Sequence, residues 1–112
     1  MSKFAEAVEL YKNEMNKLGL KFDEALLTAV AKGLGPSIYN ADSSTVSSSD
    51  QKEINTVKTK FLMGKLGLED GDALDDAIDN LMVAYGKTNR SKYRAVVYYL
   101  LTKHFGKETV YE

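Results

Sequence analysis

The sequence has no cysteine, one proline and one histidine, and no apolar run near the ~20 residues that a spanning helix needs. Without cysteine there is no disulfide, thiolate nucleophile or thiolate metal site, so packing alone must hold the fold, and a cytoplasmic location fits best. His104 is the only histidine, which excludes an HExxH pair, and neither a Ser/His/Asp set nor a Walker loop is recognisable in the sequence. Its place beside Lys103 in a last helical turn suits a cap or dipole role better than a general base. Excess charge is also missing: the net charge is −1, which disfavours nucleic acid as a partner. The N-terminus, MSKFAEAVELYKNEM, mixes charges with apolar residues and lacks the apolar core of a secretory signal. What is present is an ordinary globular composition, 44% hydrophobic and 28% charged over 112 residues, enough for a single globular helical domain over 1–112.

Strand-like alternation is absent, and the spacing predicts an all-α fold of about five helices. Phe4, Val8, Tyr11, Met15 and Leu18 make the stripe of a first helix that stops at Gly19, with Leu20 placed to pack back on Met15. Asp23 caps a second helix, whose buried side is Leu26, Leu27, Val30 and Leu34 and which Gly33 and Gly35 end. A third begins between Ser47 and Asp50, where Ser48/Gln51 and Asp50/Glu53 both have capping-box spacing, and runs to Gly67. A fourth spans about Asp70 to Tyr85. The fifth, from an Asn89 cap to Phe105, contains AVVYYLL and is apolar on nearly all sides, as a wrapped helix is. The expected architecture is two antiparallel helical hairpins packed around a mostly buried C-terminal helix.

KLGL occurs at Lys17–Leu20 and again at Lys65–Leu68, and the same offset relates Ala25 to Ala73, Leu26 to Leu74, Ala29 to Ala77 and Val30 to Ile78. Either an old duplication or the reuse of one cap chemistry explains the match.

Six acids and no base lie between Glu69 and Asp79, and six bases and no acid between Lys87 and Lys107. The acidic start of helix four is expected beside the basic end of helix five. The acidic run fails as a calcium loop, since Gly71 and Leu74 fall where an EF-hand needs other residues, and no metal site is expected. In KTNRSKYR the bases stand at the start of a helix, where the dipole disfavours cations, so something must offset them. Lys87, Asn89, Arg90, Lys92 and Arg94 are therefore a candidate anion- or partner-binding site. The alternative is a solvated turn, or pairing of the arginines with acids of helix one or three. Tyr93, Tyr98 and Tyr99 read as packing residues with hydroxyls at the surface.

The connector GPSIYNADSSTVSSSD, residues 35–50, is longer than most structureless loops. A helical turn over Pro36–Tyr39 is expected, pinned by Ile38 and Tyr39, followed by a serine-rich arc with Val46 as a second anchor. Ser37, Tyr39, Asn40 and Asp42 are the candidate contact residues of this segment.

Taken together, GLGPSIYNADSSTVS, VKTKFLMGKLGLEDG and YGKTNRSKYRAVVYYLLTKHFGKE resemble the family catalogued as domain of unknown function 2853, across essentially the whole chain. The resemblance implies a bacterial source, a cytoplasmic location and one small domain, and it supplies no catalytic residue. The residues themselves favour a non-enzymatic binding module for a protein partner or an anionic ligand, without a cofactor. A small enzyme with a site near 35–42, or a purely structural or oligomerising protein, are the competing classes.

Overall fold

The apolar stripes just described build five helices, and the computed structural model describes them over residues 3–39, 45–46, 50–85 and 92–111. Helix α1 (Lys3–Lys17) buries Ala7, Val8, Tyr11 and Met15 on one face. At its end Gly19 takes a φ of 72°, which a side chain would resist. That turn lets the Leu20 N–H reach the Met15 carbonyl and the Gly19 N–H reach that of Asn16, both at 3.0 Å. Helix α2 (Glu24–Leu34) starts at Asp23, whose carboxylate accepts from the N–H groups of Ala25 and Leu26 at 3.0 and 3.3 Å. The Asp23 N–H itself donates to the Tyr99 hydroxyl at 2.6 Å, tying this helix start to the last helix. The chain continues as a 3-10 turn over Gly35–Tyr39, as expected for the first part of the connector.

Helix α3 (Gln51–Thr56) begins at Asp50, which caps the Lys52 N–H at 3.0 Å. The capping box is only half formed, because Glu53 turns away to a different partner. The helix then widens into a π-helical stretch over Val57–Lys65. Its buried residues, Val57, Phe61, Leu62 and Leu66, follow the wider turn. This winding alters the second KLGL ending. Gly67 has the same positive φ as Gly19, at 70°, but Leu68 bonds one residue further back, to the Leu62 carbonyl, at 3.0 Å. The two endings therefore share the glycine and differ in the bonds it permits.

Helix α4 (Asp72–Tyr85) buries Leu74, Ala77, Ile78, Met82 and Tyr85. Its acidic start is held by Lys58, which reaches Asp70 at 2.8 Å and Asp75 at 3.0 Å. Among the described residues, the two of these acids that form ion pairs, Asp70 and Asp75, thus find their partner in the π-helical stretch and not at the basic end of the fifth helix.

The largest departure from the sequence reading lies before the fifth helix. Lys92–Tyr93 is extended (β2) and pairs antiparallel with Thr45–Val46 (β1), Thr45 opposite Tyr93 and Val46 opposite Lys92. Helix α5 (Arg94–His104) consequently starts at Tyr93, not at Asn89. A two-residue pairing has no alternation to detect, and the Tyr93 N–H is taken by the Tyr85 hydroxyl at 3.2 Å instead of opening a helix. As expected, α5 is central: Ala95, Val96, Val97, Tyr99 and Leu101 are almost wholly buried, and α1, α2 and α4 all pack on it. Val46 is buried with it, fixing the connector's second anchor in the core. A 3-10 turn at Glu108–Tyr111 folds back so that Lys65 sits 5.2 Å from the Tyr111 ring centre. The mostly helical architecture agrees with the all-α expectation, with one short bridge added.

Candidate functional site

Two segments were singled out by the sequence, and the structure joins them where Thr45–Val46 of the connector pairs with Lys92–Tyr93 of the basic segment. Of the basic segment, Lys87, Asn89 and Arg90 lie outside the described residues. Lys92 and Arg94 are described, and both side chains point inward, 1% and 8% exposed. Arg94 sits in the first turn of α5, where the helix dipole opposes its charge, and Glu53 of α3 supplies the compensation with an ion pair at 2.9 Å. The same guanidinium donates to the Tyr98 hydroxyl at 3.1 Å and to the Thr45 carbonyl at 3.3 Å. Tyr98 in turn stacks on Phe61, with centroids 3.9 Å apart and planes 13° from parallel. Burial works against the charge of Arg94, yet Glu53 and Tyr98 more than offset it and hold its pKa above the ordinary range. Arg94 is therefore a clamp joining α5, α3 and the connector, and it does not face solvent as an anion ligand. The pairing of an arginine with an acid of helix three, one of the two alternatives, is what the structure contains. Lys92 is buried opposite Val46, and removal from water pulls its pKa down.

The hydroxyls of Tyr98 and Tyr99 are likewise engaged inside and not left at the surface. Tyr99 accepts from Asp23 and Tyr98 from Arg94, so each buried hydroxyl has a partner. Near them Tyr11 meets Tyr93 edge to face at 5.4 Å, and burial first, then Tyr93 and Tyr39, pushes the Tyr11 pKa up to about 12. Glu14 adds a group that the helical pattern did not reveal. It sits on the buried side of α1, 9% exposed, with Oε1 lacking a hydrogen-bond partner and Tyr85 close by. Its legible signal is an acid three residues after Tyr11, inside an otherwise apolar stripe.

The connector residues fare differently. Ser37 lies in the 3-10 turn, while Asn40 and Asp42 are outside the described residues. Ile38 is buried and pins the turn, but Tyr39 beside it is 47% exposed and is not the core anchor it was expected to be. A 3-10 turn advances by three residues per revolution, so neighbours point in different directions and one of the two must face out. Tyr39 lines a cleft of about 430 Å³ with Phe4 of α1, Thr28, Ala31 and Lys32 of α2, and Gly35. The rim is amphipathic: two aromatic rings, a threonine and the exposed ammonium of Lys32, for which the described residues provide no ion pair. Sequence reasoning missed Phe4 and Lys32 as site residues. Small residues on the Thr28–Ala31 face of α2 are the signal that the helix leaves room there.

Among the described residues, no three His, Asp or Glu side chains gather where they could hold a metal ion, and no helix is long and apolar enough to cross a membrane. His104 is exposed at the end of α5, its ring 4.8 Å from Phe105 in an edge arrangement.

These features define a small all-α domain whose central helix is tied to the connector by one short bridge and to α3 by one largely buried ion pair. Residues 10–109 match the family described as protein of unknown function (DUF2853), which covers most of the chain, and the chain belongs to that family. The comparison with curated proteins finds no match.

Proposed function

We propose that the protein is a non-enzymatic binding module and that its contact is the Tyr39 cleft, which receives a protein partner presenting an acidic side chain beside an apolar one. The observation that carries this reading is the half-exposed Tyr39, held on a turn whose neighbour Ile38 is buried, facing Lys32 and Phe4 across an open cleft. A tyrosine supplies a large amphipathic contact at low entropic cost, and aromatic residues of this kind dominate binding energy at interfaces. Lys32 adds a charge that selects the partner and speeds encounter more than it strengthens the complex. Lys87, Asn89 and Arg90 extend the proposal as further contacts for anionic groups of the partner, now without Lys92 and Arg94.

A pulldown with wild type, Tyr39→Ala, Lys32→Glu and Arg90→Glu tests the reading. A partner retained by wild type and lost by both Tyr39→Ala and Lys32→Glu, each shown by circular dichroism to be folded, supports the cleft. Identical partners for wild type and these two variants refute it.

A further inference from the structure

A second concavity of about 310 Å³ opens between the α1–α2 turn, α4 and α5. Its walls are Leu18 and Leu20 from the turn, Leu81 from α4, and Leu100 and Leu101 from α5, with Asn80 and His104 as polar groups. Leu20 is 40% exposed, and Asn80, Ala84 and His104 are exposed too, so the space is reached from solvent and is not a packing void. We propose that this cavity binds a medium-chain carboxylate, its alkyl chain among the leucines and its head group at His104 and Asn80. This site is separate in its residues from the Tyr39 cleft and does not rest on that reading.

Three observations argue for this ligand class. The volume sits at the low end of small-molecule sites, roughly 300–1,000 Å³, and the lining follows their usual composition of apolar walls with a few polar groups. At about 30 Å³ per water-sized group, it has room for on the order of ten chain atoms. In the chain, Lys17 adjoins Leu18, Lys21 adjoins Leu20 and Lys103 adjoins His104, while Asp76 and Asp79 adjoin the α4 lining residues and Glu14 lies by Tyr85 on the inner wall, so the cationic neighbours gather at the turn and at the end of α5 where His104 stands. The third polar lining residue, Tyr85, is already engaged, since its hydroxyl accepts the Tyr93 N–H and has the Glu14 carboxylate beside it to take its own proton. The head group is thus left to His104 and Asn80, the first able to donate to a carboxylate and the second able to donate from its amide.

The test is calorimetric titration of the full chain with decanoate and with decyltrimethylammonium, which has the same chain length and the opposite charge. Wild type is expected to bind decanoate at a single site, at least about tenfold more tightly than the cation. Ala84→Trp, which fills the cavity from an exposed position, should weaken decanoate at least about tenfold. Leu20→Asp gives a second reading if the tryptophan variant fails to fold, and it should weaken decanoate similarly by placing an acid in the wall. Tyr39→Ala should bind decanoate as wild type does. Absence of decanoate binding by wild type, wild-type affinity in a folded Ala84→Trp or Leu20→Asp, or equal affinity for the cation would each overturn the proposal.

Discussion

Replacing Arg94 by methionine tests the clamp between α5, α3 and the connector. Arg94 makes hydrogen bonds to Glu53, Tyr98 and Thr45, and its side chain is only 10% exposed. Methionine keeps most of the apolar stem beside Tyr98 but leaves the Glu53 carboxylate, at 26% exposure, without its counter-charge. Breaking a buried pair from one side costs about 3–5 kcal/mol. Water still reaches Glu53, so the expected loss lies at the bottom of that range, about 3 kcal/mol. Glu53→Gln keeps an acceptor for Arg94 but leaves the more buried guanidinium without its counter-charge, and should also cost about 3 kcal/mol. In urea unfolding at neutral pH followed by far-ultraviolet circular dichroism, the double-mutant cycle should return a coupling of about 1–2 kcal/mol with an unchanged m-value. A loss below about 1 kcal/mol for Arg94→Met, with coupling near zero, would refute the assignment and return Arg94 to the surface.

Other consequences are as specific. Tyr99→Phe removes the acceptor of the Asp23 N–H and should cost about 1–3 kcal/mol, with faster hydrogen exchange confined at first to the start of α2. Gly67→Ala must hold a side chain at a φ of 70° and should cost about 1–2 kcal/mol, whereas Gly71→Ala, in open space, should stay within about 0.5 kcal/mol by the same urea assay. Lys58 holds the Asp70 carboxyl below its ordinary range. That contribution is present above about pH 4 and is lost as pH falls through the depressed value, so the midpoint difference between wild type and Lys58→Met should shrink in acid. Burial pushes Tyr111, like Tyr11, up to about 12, so both favour the protonated, folded form. Stability should therefore fall as pH rises above about 10, and absorbance at alkaline pH should show delayed ionisation of part of the tyrosines.

Much of the fold was legible because helical stripes and glycine stops are local signals. Asp23 as a cap, Ile38 and Val46 as anchors and the wrapped α5 all follow from spacing and composition. The start of α5 was not legible, because the pairing of Lys92–Tyr93 with Thr45–Val46 is long-range and too short to carry a periodicity. For the same reason KTNRSKYR reads as one basic surface, although Glu53, far away in sequence, draws Arg94 inward. The π-winding of Val57–Lys65 was hidden as well, since the residues it buries also fit an ordinary helical stripe. For the candidate site, the connector was identified by its length and its mix of apolar and polar residues. Which side of its turn faced solvent depended on packing, and that is why Tyr39 departs from the expected anchor role while Ile38 keeps it, and why Phe4 and Lys32 went unseen.

The central claim is that Tyr39 serves binding and not folding. The direct measurement is to compare Tyr39→Ala with wild type for both urea midpoint and affinity toward the captured partner. The account predicts a stability change within about 0.5 kcal/mol, as for an exposed side chain, together with a loss of at least about tenfold in affinity. Unchanged affinity, or a stability loss large enough to explain the missing partner, would contradict it.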